Sequence, residues 1–330
     1  MKIVTFGEVM LRLSTPGVER FIQTDSLTMH FGGTEANVAA SLAQLGAHTV
    51  HVTRFPDHAL GRAASGYLRR YGVDTQHIRY GDGRLGLYFL ETGAGSRASQ
   101  IIYDRVDSAF SRIQADEIDW EPILQGADWF HWTGITPALS QGAADCLLAA
   151  IKTANRLNIP VSADIVYRSN LWQYGRTPQE IMPALTEGCT LVLGSKTLFS
   201  GIYGVVGSSF QEAGRAMMNR FPSVRYITDT KRNSVSASHN QLSAKLFDGD
   251  TVYKSTLYDI QPITDRIGTG DAYVAGLIYG LLTFNDLQRA VEFGVAASVL
   301  KHTIPGDVNL AGIAEIDTLA SGDSSGKLRR

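Results

Sequence analysis

From residue 128 onward, short apolar runs alternate with helical periods. Residues 128–132, 160–164, 190–193 and 224–229 have the length and side chains of strands. Between them, residues 141–157, 178–185 and 210–221 place apolar side chains at helical spacing. This rhythm points to a mostly parallel sheet covered by helices on both faces, because each parallel pairing needs a crossover that a helix supplies compactly. Residues 2–6 add a buried first strand, and the second half of 31–46 reads as a small-residue helix ended by Gly46. A strand at 49–54 and a helix at 59–71, stopped by Gly72, continue the pattern. Short strands at 234–239, 242–247 and 251–254, with turns at Asn240 and Asp248-Gly249-Asp250, are expected to form an antiparallel edge. Helices at 272–282 and 286–301 complete the rhythm.

Two stretches do not fit a main core. Residues 10–31 are short-patterned and polar, and 85–91 with 99–105 read as strands joined by the loop 92–96. Together, about 10–32 and 84–106 are expected to form a small sheet standing outside the main domain as a lid. The loop contains Gly93-Ala94-Gly95-Ser96-Arg97-Ala98, formally Gly-x-Gly-x-x-Ala, but it joins two strands and so is rejected as a dinucleotide site. The domain is expected to occupy 1–320, and the Ser-, Gly- and charge-rich tail 321–330 to be disordered.

Bulk composition excludes several functions. A net charge of −2 over 330 residues gives no basic field for nucleic acid or an anionic membrane. No apolar run reaches the roughly 18 residues of a membrane span, and residues 1–7 turn polar too soon for a secretory signal. The only cysteines, Cys146 and Cys189, sit in apolar runs as core residues, and no zinc-binding spacing occurs. A reducing cytoplasm is the expected compartment.

Two glycine junctions carry the chemistry. Asp265-Arg266-Ile267-Gly268-Thr269-Gly270-Asp271 leads directly into an apolar helix. A helix start has unsatisfied N–H donors and partial positive charge, which suits a phosphate. Asp271, in the first turn, could accept a hydroxyl proton and is expected to stay ionised there. The same residues also fit a glycine turn whose Asp caps a core helix. Gly32-Gly33-Thr34-Glu35-Ala36-Asn37 offers a second close backbone approach, with the Asn37 amide in the first turn of a helix. Close helix–sheet packing with a capping Thr34 explains that stretch equally well.

The two junctions, in this order and around this sequence of elements, resemble the ribokinase-like sugar kinases of the phosphofructokinase-B type. Gly32-Gly33…Asn37 is similar to that family's N-terminal Gly-Gly…Asn signature, and residues 265–271 to its Asp-Thr-x-Gly-Ala-Gly-Asp signature. The resemblance implies a three-layer αβα sandwich of ribokinase type with a mostly parallel central sheet and a small β-strand lid. It also implies ATP and Mg2+, with Asp271 as base and Gly268, Thr269 and Gly270 as the anion hole. Within the family the chain looks most like the branch acting on 2-keto-3-deoxygluconate. Gly86-Leu87-Tyr88-Phe89, Tyr103-Asp104-Arg105 and Asp164-Ile165-Val166-Tyr167-Arg168 are similar to that branch's acid-reading segments. A planar carboxylate suits a guanidinium fork, so Arg105 and Arg168 are expected to hold it, with Gly32, Gly33, Asn37, Tyr88 and Tyr103 around the sugar. Each arginine could instead pair with a nearby acid such as Asp104 or Asp164.

The nucleotide is expected along Thr228-Asp229-Thr230-Lys231-Arg232 and beneath the 286–301 helix, near Ser195, Gly268, Gly270 and Asn309. Thr269 replaces an Ala of the family pattern. In Leu193-Gly194-Ser195-Lys196, Lys196 falls where relatives carry the acidic group that helps organise magnesium. That departure leaves open a catalytically weak sugar- or nucleotide-binding regulator, and fructose or a related deoxy-keto sugar remains an alternative substrate. Family analogy also leaves room for a monovalent cation beside Asp265. A homodimer or higher homo-oligomer is expected through the lid, using apolar side chains such as Leu85, Leu87 and Phe89.

Overall fold

Along the strands of the main sheet, neighbouring side chains part to opposite faces, each meeting its own layer of helices. In the computed structural model, which describes residues 1–323, the strands run in the order Val252–Lys254, His239–Phe247, Tyr226–Ser236, Leu191–Leu193, Val161–Asp164, Trp129–Thr133, Lys2–Phe6, His48–Val52 and Val73–Asp74. Pairing is parallel from Tyr226–Ser236 to Val73–Asp74. It is antiparallel on the other side, where Tyr258–Ile260 also pairs with His239–Phe247. Val4, Phe6, Phe130 and Trp132 pack with Leu147, Met182, Phe199 and Met217 on one face. Ile3 and Trp129 turn the other way, towards Val38, Leu42, Leu277 and Val295. Burying such a side chain contributes roughly 1.5–3 kcal/mol, so the period-two split is what holds three layers together.

A second sheet orders Thr28–Gly32, Met10–Ser14, Leu87–Glu91 and Gln100–Asp104. Its outer loop reaches the main domain: Ala237 N–H donates to Gly95 O at 2.8 Å, and Gly95 N–H to Ser238 Oγ at 3.1 Å. Of the apolar side chains expected to serve self-association, Leu87 and Phe89 are half-buried and Leu85 is corrected. Leu85 is only 5% exposed, because it packs under the sheet with Leu11 and Phe31. The open apolar residues of the sheet include Ile101, Ile102 and Tyr103 on one edge strand and Met29 on the other.

Two further differences have local causes. Residues 230–233 separate the expected strands 224–229 and 234–239, yet Tyr226–Ser236 is one continuous strand because antiparallel pairing with His239–Phe247 satisfies its backbone. The turn therefore falls at Ala237 and Ser238, and Asn240 lies buried in the return strand. Lys196–Tyr203 is a helix absent from the sequence expectation, only eight residues long; Ser195 caps it, its side chain accepting from Leu198 N–H at 3.3 Å. Ile313–Ala320 ends the ordered elements, residues 321–323 turn after it, and the rest of the expected tail, 324–330, lies outside the described residues. No described helix is long and apolar enough to cross a membrane. Cys146 and Cys189 are buried and free.

Candidate active site

The carboxyl ends of the parallel strands and the two glycine junctions meet at one cavity of about 380 Å³. Backbone closeness explains the glycines. A Cβ on Gly33 would lie 1.9 Å from Glu8 O. Gly268 has φ +78° and a Cβ there would lie 1.8 Å from Asp307 O, so the left-handed turn against the 301–309 loop admits no side chain.

The helix Thr269–Thr283 begins at this turn. Its first backbone bond is Ala272 N–H to Gly268 O at 2.9 Å. Among the described residues, the N–H groups of Thr269, Gly270 and Asp271 have no acceptor, so the positive end of the helix opens on the cavity with unspent donors. Asp271 is 8% exposed and accepts from Asn37 Nδ2 at 2.7 Å. Burial raises its pKa to about 7, against the opposing hydrogen bond from Asn37 and with help from the charge of Glu35. Burial therefore works against the ionised form that the helix terminus favours. Asp164, across the cavity, is also raised well above the ordinary value, by burial and by the charge of Asp271.

Behind the turn lies an ionic cluster that sequence reasoning missed. Arg12 donates from Nη2 to Asp265 at 2.7 Å and from Nη1 to Asp307 at 2.9 Å. Asp265 also accepts from Ile267 N–H at 3.0 Å and Gly306 N–H at 3.0 Å, stitching the two loops together. Lys301 is 0% exposed and donates from Nζ to Ile304 O at 2.8 Å. Burial lowers its pKa to about 8, while Asp265 and Asp307 oppose that shift. Arg12 gave no signal beyond lying in a predicted strand.

Gly32, Gly33, Asn37, Tyr88, Tyr103, Arg105, Arg168, Arg232, Gly268, Thr269, Gly270 and Asp271 all line the cavity. Several point otherwise than expected. The Tyr88 hydroxyl donates to Asp307. Arg105 pairs with Glu8, donating from Nε at 2.9 Å, and Asp104 instead binds Arg84. Glu8 was not foreseen; it lines the cavity from the end of the first strand. Arg168 is exposed and donates to its neighbour's Tyr167 O at 3.1 Å.

The expected nucleotide residues divide. Arg232 borders the cavity, but Ser195, Thr228, Thr230, Lys231 and Asn309 do not line it. Ser195 is spent on its helix cap. Thr228 is 0% exposed and bonds Lys245 O and the Tyr273 hydroxyl. Asn309 is 2% exposed and accepts from Ala311 N–H at 3.2 Å. Thr230 and Lys231 continue the hairpin strand. Lys196 donates to Ser208 O at 3.2 Å. Among the described residues, no three His, Cys, Asp or Glu side chains gather as a metal site.

An acid beside open helix-terminal donors in a strand-end cavity could receive a phosphoryl group. Residues 1–310 match the pfkB family carbohydrate kinase profile. The chain belongs to that family. Its fold is ribokinase-like. A solved 2-dehydro-3-deoxygluconokinase from Thermotoga maritima is 42% identical, with a TM-score of 0.93 and 98% of each chain covered. A 2-dehydro-3-deoxygalactonokinase from Haloferax volcanii is 29% identical over 326 residues, 98% of each chain. A 5-dehydro-2-deoxygluconokinase from Bacillus subtilis is 26% identical over 307 residues, covering 91% of this chain and 90% of its own.

Proposed function

We propose that this kinase transfers the terminal phosphoryl of ATP to the 6-hydroxyl of 2-keto-3-deoxy-D-gluconate, giving 2-keto-3-deoxy-6-phosphogluconate. The observation that carries the reading is the set of unspent N–H donors at 269–271 beside the buried Asp271 carboxyl. The names of all three relatives above denote acceptors that are deoxy-keto sugar acids, and the guanidiniums of Arg105 and Arg168 border the same cavity.

The acid end of the acceptor would lie against Arg168 and Arg105, with the far hydroxyl at Asp271. As the hydroxyl oxygen attacks phosphorus, Asp271 takes its proton and Asn37 holds the carboxylate in place. The open donors at 269–271 receive the charge of the migrating phosphoryl, where fixed dipoles act without reorganising. Positioning supplies most of such a rate enhancement. A divalent ion would enter on the phosphates of the nucleotide, the mode magnesium favours, and the steps above use only the groups of the chain. We assign no monovalent cation to the Asp265 loop, whose carboxylates already face Arg12 and Lys301.

The lid edge Gln100–Asp104, with exposed Ile101 and Ile102, is the proposed contact of a homodimer. A substrate panel read by ADP release tests the function. It should rank 2-keto-3-deoxygluconate above its galactonate epimer and far above fructose. Equal use of fructose and the sugar acids would remove the acid-reading role of the arginines.

A further inference from the structure

Two arginines stand at the glycine turn with no carboxylate to answer them. Arg232, on the strand Tyr226–Ser236, donates from Nη2 to Thr269 Oγ1 at 2.8 Å. The residue is exposed overall, yet desolvation and the neighbouring Arg266 charge lower its pKa. Arg266 stands where the family pattern has Thr. It is anchored at one end, donating from Nη2 to Ser236 O and to Asn240 Oδ1, the latter at 2.9 Å. Its Nε is buried with no partner. Both side chains line the 380 Å³ cavity, and among the described residues neither forms an ion pair. Bringing two like charges together without a counter-ion is unfavourable unless an anion completes the site. Guanidinium forks match the oxygens of a phosphate.

We propose that Arg232 and Arg266 form a clamp on the terminal phosphoryl of the nucleotide, supplying the cationic charge that the 194–197 segment, with Lys196, does not organise through a metal. The proposal rests on the kinase reading above. In the step, the acceptor oxygen forms the new P–O bond and the P–O bond to the leaving ADP breaks with its electron pair. The proton of the hydroxyl passes to Asp271; the arginines donate hydrogen bonds and keep their protons. Arg232 spans from the phosphoryl to Thr269, so the clamp and the helix-terminal donors would grip the same group from adjoining sides.

The test uses the full-length protein with Arg232→Met and Arg266→Met. Each should lower kcat by about 10²-fold, the loss typical of one transition-state donor. KM for the sugar acid, and the thermal protection that the sugar acid confers, should stay within about twofold. Stabilisation by ADP with fluoroaluminate, a phosphoryl mimic, should vanish, and added guanidinium at non-denaturing concentration should restore part of the turnover of Arg266→Ala. Unchanged kcat in both variants, or a matching loss of sugar-acid binding, would overturn the clamp. Should Arg266→Met melt early because its anchor to Asn240 is lost, Arg232→Met carries the comparison. If the unmodified protein phosphorylates no sugar acid, the kinase reading fails by itself. The clamp is then judged by calorimetry with inorganic tripolyphosphate: binding lost in the double variant supports it, and equal binding by both proteins refutes it.

Discussion

Asn37 donates its amide N–H to the Asp271 carboxylate at 2.7 Å across 234 residues of chain. This bond joins the two glycine junctions, each at the start of its own helix, into one site. It also restrains the acid whose pKa burial raises, and the same bond pulls that pKa part of the way back down.

Replacing Asp271 by Ala should reduce kcat by about 10³-fold or more, in keeping with the 10²–10⁴ that a positioned proton acceptor contributes. Calorimetric binding of the sugar acid should be nearly intact. Turnover within tenfold of the unmodified enzyme would take the base role away from Asp271.

The raised pKa of Asp271 predicts two pH effects. kcat/KM should climb through a limb near pH 7 as the carboxyl ionises, since its folded value is about 7. Stability should move oppositely. Folding shifts this group from 3.8 to about 7, so between those values the folded chain binds the extra proton and stability falls as pH rises. Asp164, also shifted upward, adds in the same direction. Thermal melts of Asp271→Asn from pH 4 to pH 8 should show a shallower decline than the unmodified protein.

Arg168→Ala and Arg105→Ala should each weaken kcat/KM for the sugar acid by about 1.5–3 kcal/mol, the worth of one charged hydrogen bond. Their melting behaviour should separate them. Arg168 is exposed, so its loss should leave the melting temperature unchanged. Arg105→Ala strands the buried Glu8 carboxylate and should melt earlier.

Arg12→Leu removes the shared partner of two buried carboxylates, Asp265 and Asp307. Leaving buried charge uncompensated should cost about 3–5 kcal/mol, measured as a shift in urea midpoint at constant slope. A loss below 1 kcal/mol would mean that Lys301 alone neutralises the loop.

Ile102→Lys places a charge on the exposed edge strand of the small sheet, where Ile102 is 54% exposed. Sedimentation should show a smaller species than the unmodified protein if the lid edge is the dimer contact. An unchanged mass would move the interface elsewhere.

Local pattern made the layered sheet legible, because strand and helix periods are written in neighbouring residues and need no knowledge of distant partners. The hairpin at 226–247 was misjudged at its turn for the converse reason: Asn240 is buried through contact with Arg266, which no local window contains. The Lys196–Tyr203 helix is harder to read because its eight residues span little more than two turns, shorter than the stretch over which helical spacing is recognised.

The order of residues alone gave the alternating architecture, the glycine turns and the candidates Asp271 and Asn37 from residue type and spacing, while Arg105 and Arg168 came from the resemblance to the sugar-acid branch. Folding decided the rest. Burial gives Asp271 a pKa near neutrality, Glu8 claims Arg105, and Arg12 ties Asp265 to Asp307. Desolvation and ion pairing depend on which groups are neighbours in space, and those neighbours are assembled only when chain segments hundreds of residues apart close on one cavity.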